Sequence, residues 1–146
     1  MNQIITPDEY YKATVKLAKI IKKEFKTDII VPIMNGGLLP CAILTEELNI
    51  KDVRPINVFR KGNKREIVYD IQGNIKNKKI ILLDDLIPEN HGLGFKIVKK
   101  ILENRGAIVK TASPFIGKNS NVDFFVEIVN LEIDLFWKPQ RIGDRF

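Results

Sequence analysis

Ile80-Ile81-Leu82-Leu83-Asp84-Asp85-Leu86-Ile87 is the stretch on which the fold of this chain turns. Four branched apolar residues in a row read as a buried strand, and two adjacent carboxylates close it. Like charges at the tip of an apolar strand are costly unless something cationic or hydroxyl-rich meets them. Ribose hydroxyls would do so. So would magnesium, which prefers oxygen ligands and retains several waters. Gly92 and Gly94 follow and open a helix, read from Phe95 to Asn104 and stopped by Gly106. Small residues before a helix let backbone N–H groups approach a phosphate, and the positive end of the helix adds to the attraction. Taken by itself, the segment also reads as a solvated acidic turn whose glycines serve geometry alone.

Upstream, Asp28 to Ile33 reads as a buried strand, Met34-Asn35-Gly36-Gly37 as a turn, and Leu38 to Leu48 as a short helix with Pro40 in its first turn. Thr6-Pro7-Asp8-Glu9 carries a helix start: a Thr cap, Pro at the first helical position and Glu to complete a capping box. Apolar residues from Tyr10 to Phe25 then recur at helical spacing. Val53 to Phe59 is a second strand, Arg60 to Arg65 a basic glycine-containing loop, and Glu66 to Asp70 a hairpin or a mobile segment. Downstream, Ile108 to Ala112 and Phe124 to Ile128 are strands, and the tail from Asp134 to Phe146 is irregular, aromatic and basic. Strands alternating with helices predict an α/β fold, a mostly parallel twisted sheet flanked by helices. Ligands in such sheets sit beyond the carboxyl ends of the strands. Both Asn35-Gly36-Gly37 and Asp84-Asp85 fall there.

The 146 residues suit a single domain over the whole chain. No apolar run is long enough to span a bilayer, and Met1 to Tyr10 lacks a signal-peptide pattern, so a cytoplasmic location is expected. The lone cysteine, Cys41, reads as a small buried apolar residue and fits a reducing compartment. Lys and Arg exceed Asp and Glu by 24 to 18, a net charge of +6 that suits anionic ligands. Nucleic acid is disfavoured as a partner, because the charge is spread along the chain and no motif for it is present.

The order of these elements resembles the type I phosphoribosyltransferases, most closely the bacterial xanthine-guanine enzymes. In that family an apolar strand ends in two acids and runs into a phosphate loop and helix, as Ile80 to Gly94 does here. The family's earlier Gly-Gly loop is similar to Asn35-Gly36-Gly37-Leu38-Leu39-Pro40, and its base-binding end is similar to Asp134-Leu135-Phe136-Trp137-Lys138-Pro139. The likeness spans about residues 28 to 143.

The resemblance implies transfer of a 5-phosphoribosyl group from phosphoribosyl pyrophosphate to a 6-oxopurine, with magnesium (Mg2+) as cofactor and pyrophosphate released. Asp84 and Asp85 would hold the ribose hydroxyls, directly or through the metal. Gly92, Leu93 and Gly94 would line the 5′-phosphate, while Asn35, Gly36 and Gly37 meet the pyrophosphate. Phe136 would stack on the purine with Trp137 as a second candidate, and Lys118 would donate to the exocyclic oxygen. The basic segment Arg60 to Arg65 would close over the site, and a small C-terminal hood, purine salvage and a dimer or tetramer are implied as well. The chain departs from the pattern at three places. Asn35 stands where the family carries a cation, Pro88 stands at the usual acid with Glu89 beside it, and the loop lacks the family's Thr hydroxyls. Those departures define the alternative, a protein that keeps the fold, binds nucleotides in a regulatory role and has lost catalysis. His91 reads as a surface loop residue, or else as a phosphate contact or proton donor.

Overall fold

The computed structural model describes residues 3–89, 92–129 and 133–137. In chain order the elements are β1 (Gln3–Ile5), α1 (Pro7–Glu24), β2 (Ile29–Pro32), α2 (Leu38–Leu48), β3 (Asn57–Lys61), β4 (Lys64–Tyr69) and β5 (Lys79–Leu83). They continue with β6 (Leu86–Ile87), α3 (Leu93–Asn104), β7 (Ile108–Ala112), β8 (Phe115–Gly117), β9 (Glu127–Val129) and β10 (Ile133–Leu135).

The apolar strand that opened the sequence reading, β5, is the centre of the main sheet. It pairs in parallel with β2 on one side and β7 on the other. Val53 and Ile56 extend that sheet beyond β2 by parallel bridges to Ile30 and Ile33, and Phe124 extends it beyond β7 by a bridge to Ala112. A second parallel sheet, β6-β8-β9, lies just past the carboxyl ends of the first. Each of its strands begins three residues after a pairing of the main sheet: Leu83 to Leu86, Ala112 to Phe115, Phe124 to Glu127. Strand pleating sends alternate residues to opposite faces. Ile29, Val31, Ile80, Leu82 and Val109 therefore pack on Val98 and Leu102 of α3. Ile30, Ile81, Leu83 and Ala112 pack on Leu17, Ala18 and Ile21 of α1 and Cys41 and Leu44 of α2. The predicted α/β class, a mostly parallel sheet between helices, is the observed one.

Both predicted helix signals operate. Thr6 Oγ1 accepts from the Glu9 N–H at 3.2 Å, and Glu9 Oε2 accepts from the Thr6 N–H at 3.2 Å. Gly106, at φ +93°, ends the last helix in the left-handed region that glycine tolerates. Cys41 is buried among apolar side chains, and that burial pushes its thiol pKa up to about 11. Among the described residues no helix is long and apolar enough to cross a membrane.

Four expectations need correction. Phe124 to Ile128 is not one strand: Phe124 makes a single bridge to Ala112, and β9 begins at Glu127 in the second sheet. Val53 to Phe59 is not one strand: Pro55 lacks an N–H and interrupts it, leaving single bridges at Val53 and Ile56 before β3 begins. Arg60 to Arg65 is not a loop but the end of an antiparallel hairpin, β3–β4, turned through Gly62 at φ +61° and Asn63. A two-residue Gly-Asn turn is a hairpin signal in its own right. The tail is not irregular throughout, since β10 pairs in parallel with β1 (Gln3↔Ile133 to Ile5↔Leu135). Three-residue strands carry too little periodicity to be legible alone, and β6 and β8 escaped notice for the same reason.

Thr6→Ala should remove one capping hydrogen bond and lower stability by about 1 kcal/mol in urea unfolding.

Candidate active site

Parallel pairing of β2 with β5 sets Pro32 level with Leu83, so the two loops singled out in the sequence leave the sheet side by side. The Ile33 N–H donates to Leu83 O at 2.9 Å, and the Met34 N–H donates to Ile56 O at 2.8 Å, pinning the first loop on both sides. The Met34–Asn35 peptide is cis. The Gly37 N–H returns to Ile33 O at 2.9 Å. A Cβ on Gly37 would stand 2.6 Å from Leu83 O and 2.7 Å from Ile33 O. A Cβ on Gly36 would run into the Asp85 carboxylate. The two glycines thus let the first loop lie directly on the acidic turn.

That turn is fixed as tightly. The Asp84 N–H donates to Ala112 O at 3.2 Å. The Asp85 N–H donates to Asp84 Oδ1, and the Leu86 N–H donates to Asp85 Oδ1, both at 2.8 Å. Asp85 is 3% exposed while Asp84 is half-buried. Beneath them lies a residue that sequence reasoning placed only on a helix face. Tyr10 is 1% exposed, and its hydroxyl donates to the Asp85 carbonyl at 2.9 Å. Burial first, and then the Asp85 and Asp84 charges, hold the phenol protonated far above its ordinary range.

The same tyrosine reaches the aromatic end. Its ring meets Trp137 edge-on at 4.6 Å and Phe115 at 5.7 Å, and Trp137 meets Phe136 at 4.8 Å. Trp137 packs with the Ile5, Tyr10, Ala13, Phe115 and Leu135 cluster, whereas Phe136 is 41% exposed. Of the two aromatic candidates, Phe136 is the more exposed. Lys118 follows β8 on an exposed turn. Gly117 lies against the Pro88–Glu89 backbone, and Ser120 Oγ donates to Pro88 O at 3.3 Å, so this turn touches the acidic loop. Glu89 is exposed.

Gly92 is the N-cap of α3 and no side chain caps that end. Leu93 is 61% exposed. Gly94 meets a group from elsewhere: a Cβ there would lie 3.3 Å from a terminal nitrogen of the half-buried Arg65 guanidinium. At the far end of α3, Arg105 grips Asp70 through two hydrogen bonds of 2.8 Å, which hold the Asp70 carboxyl below its usual range. From Arg65 to Asp70 the strand spans about 16 Å, and from Gly94 to Arg105 the helix spans about the same, so β4 runs along α3. Register places Arg60 opposite Arg65 and Lys61 opposite Lys64. Sequence reading missed Arg65 as a specific residue because it read the segment as a loop, although the Gly62-Asn63 turn signal was present. His91 and the tail cations Lys138, Arg141 and Arg145 lie outside the described residues.

This is the fold of the type I phosphoribosyltransferases. No family model matches the chain. Among solved structures it is similar to a purine phosphoribosyltransferase from Pyrococcus horikoshii, with 25% identity, 99% of both chains covered and a TM-score of 0.87. It is also similar to the xanthine-guanine-hypoxanthine phosphoribosyltransferase of Helicobacter pylori, with 20% identity, 94% and 93% covered and a TM-score of 0.77. A hypoxanthine-guanine phosphoribosyltransferase from Bacillus anthracis shares 16% identity over 88% and 82%, with a TM-score of 0.74.

Gly36→Ala, which forces a methyl group onto the Asp85 carboxylate, should cost about 1–3 kcal/mol of stability. Gly92→Ala, which meets nothing within 4 Å, should be close to neutral in the same denaturation series.

Proposed function

We propose that the protein is a purine phosphoribosyltransferase, moving a 5-phosphoribosyl group from phosphoribosyl pyrophosphate to a 6-oxopurine. The observation that carries this reading is the contact between the Gly36 loop and the Asp85 turn, made at the carboxyl ends of adjacent parallel strands. The likeness over 99% of both chains to a solved purine enzyme supports it. In the reaction the bond from ribose C1 to pyrophosphate breaks and its electron pair leaves with the pyrophosphate. A purine nitrogen bonds to C1 and gives up its proton.

Asp84 and Asp85 lie under the sugar, where carboxylates stabilise positive charge developing on the ring. Glu89, exposed beside the site, is the candidate for taking the purine proton. Asn35, Gly36 and Gly37 meet the pyrophosphate, and Gly92, Leu93 and Gly94 meet the 5′-phosphate through backbone amides. Arg65, held at Gly94, supplies a positive charge that the Thr-free loop and Asn35 do not. Phe136 stacks on the base and Lys118 donates to its exocyclic oxygen. The donor chemistry suits magnesium: two carboxylates share one turn. Asp84 and Asp85 would hold it, and the ion would neutralise charge on the departing pyrophosphate. A cytoplasmic dimer or tetramer acting in purine salvage completes the proposal.

The exposed Leu93 in place of a hydroxyl, together with Asn35, favours a second reading, a nucleotide-binding regulatory protein without turnover. One assay separates the two. The protein is mixed with magnesium, phosphoribosyl pyrophosphate and guanine, xanthine, hypoxanthine or adenine, and nucleotide is measured. Formation of nucleotide that falls roughly hundredfold in Asp84→Asn is the expected result. Nucleotide binding without product would replace the enzyme by the regulator. In the active protein, Arg65→Ala should raise the KM for the phosphoribosyl donor about 10- to 100-fold, the range of a lost charge-assisted hydrogen bond.

A further inference from the structure

Tyr10 contacts both halves of the candidate site: its hydroxyl reaches the Asp85 carbonyl and its ring reaches Trp137. We propose that Tyr10 is a positioning residue that ties the ribose-binding turn to the base-binding aromatics. This inference rests on the proposed transferase reading and extends it to a residue far from both motifs in sequence.

The geometry gives the two ends separate work. A backbone carbonyl at the residue that carries the buried carboxylate needs a donor, and the phenol provides it from α1 at 2.9 Å. With that carbonyl fixed, the Asp85 carboxylate stays on Gly36 and keeps its bond from the Leu86 N–H. The ring meanwhile backs Trp137 edge-on, and Trp137 backs the exposed Phe136. β1 ends two residues before α1 begins, and its parallel pairing with β10 brings the aromatic end to the start of that helix, so ring and tail share one support. Tyr10 touches no substrate in this arrangement and acts through Asp85 on one side and Trp137 on the other.

The two ends can be cut separately. Tyr10→Phe removes the hydroxyl and keeps the ring. It should raise the KM for phosphoribosyl pyrophosphate about tenfold, as one lost hydrogen bond does, and leave the KM for the purine unchanged. The emission of Trp137, the only tryptophan in the chain, should stay as in the wild type. Tyr10→Leu removes the ring as well, so the purine KM should also rise and the Trp137 emission should shift. An unaltered donor KM in Tyr10→Phe overturns the inference. So does an equal rise in both KM values for that variant, which would mark general loosening. A wild-type chain that neither binds nor turns over the donor sinks the transferase reading and this inference with it. A wild type that turns over, beside an unaffected Tyr10→Phe, sinks the inference alone.

Discussion

The structure depends on the parallel pairing of β2 with β5, because it sets a glycine loop against a carboxylate. Two backbones that leave a sheet at the same level compete for the same space. Gly36 resolves the competition by having no side chain, and Asp85 then lies buried against it. Backbone hydrogen bonds from Ile33 to Leu83 and from Asp84 to Ala112 hold each loop to its neighbour, so neither can retreat. A buried carboxylate requires stabilisation. Here the Leu86 N–H supplies part of it, and the packing of three parallel strands keeps that donor in place.

Around this contact the rest of the molecule is a support. The second sheet begins just beyond Asp84 and Asp85 and carries the Lys118 turn to the Pro88–Glu89 segment. The hairpin lies along α3, anchored by the exposed Asp70–Arg105 pair at one end and carrying Arg65 to Gly94 at the other. An exposed ion pair of that kind contributes little stability by itself, even in a bidentate arrangement, so its role is chiefly to fix the direction of the hairpin. β4 sets the Arg65 guanidinium beside Gly94.

Much of the architecture was legible in order. The capping box at Thr6 and Glu9, the Leu38 to Leu48 helix and the apolar β5 each carry local signals strong enough to survive packing. The likeness in the order of the two loops and the aromatic end carried the reading further, to the fold that the solved phosphoribosyltransferases share. What local pattern does not show is short or basic: β6, β8 and β10 are two or three residues long, and the hairpin's charged strands look like a loop in spite of Gly62-Asn63.

By itself the sequence determined the parallel sheet and that the glycine loop and the two acids stand at its strand ends, because a run of four buried apolar residues followed by two acids leaves few other places for either. Tertiary structure alone decided which distant groups meet there. Tyr10 and Arg65 look like an ordinary core residue and an ordinary surface cation, since nothing local separates an apolar helix face or a basic strand from one that reaches a strand-end loop. Their placement follows from which strands pair and which helix a hairpin lies along, and those are long-range contacts that local pattern does not encode.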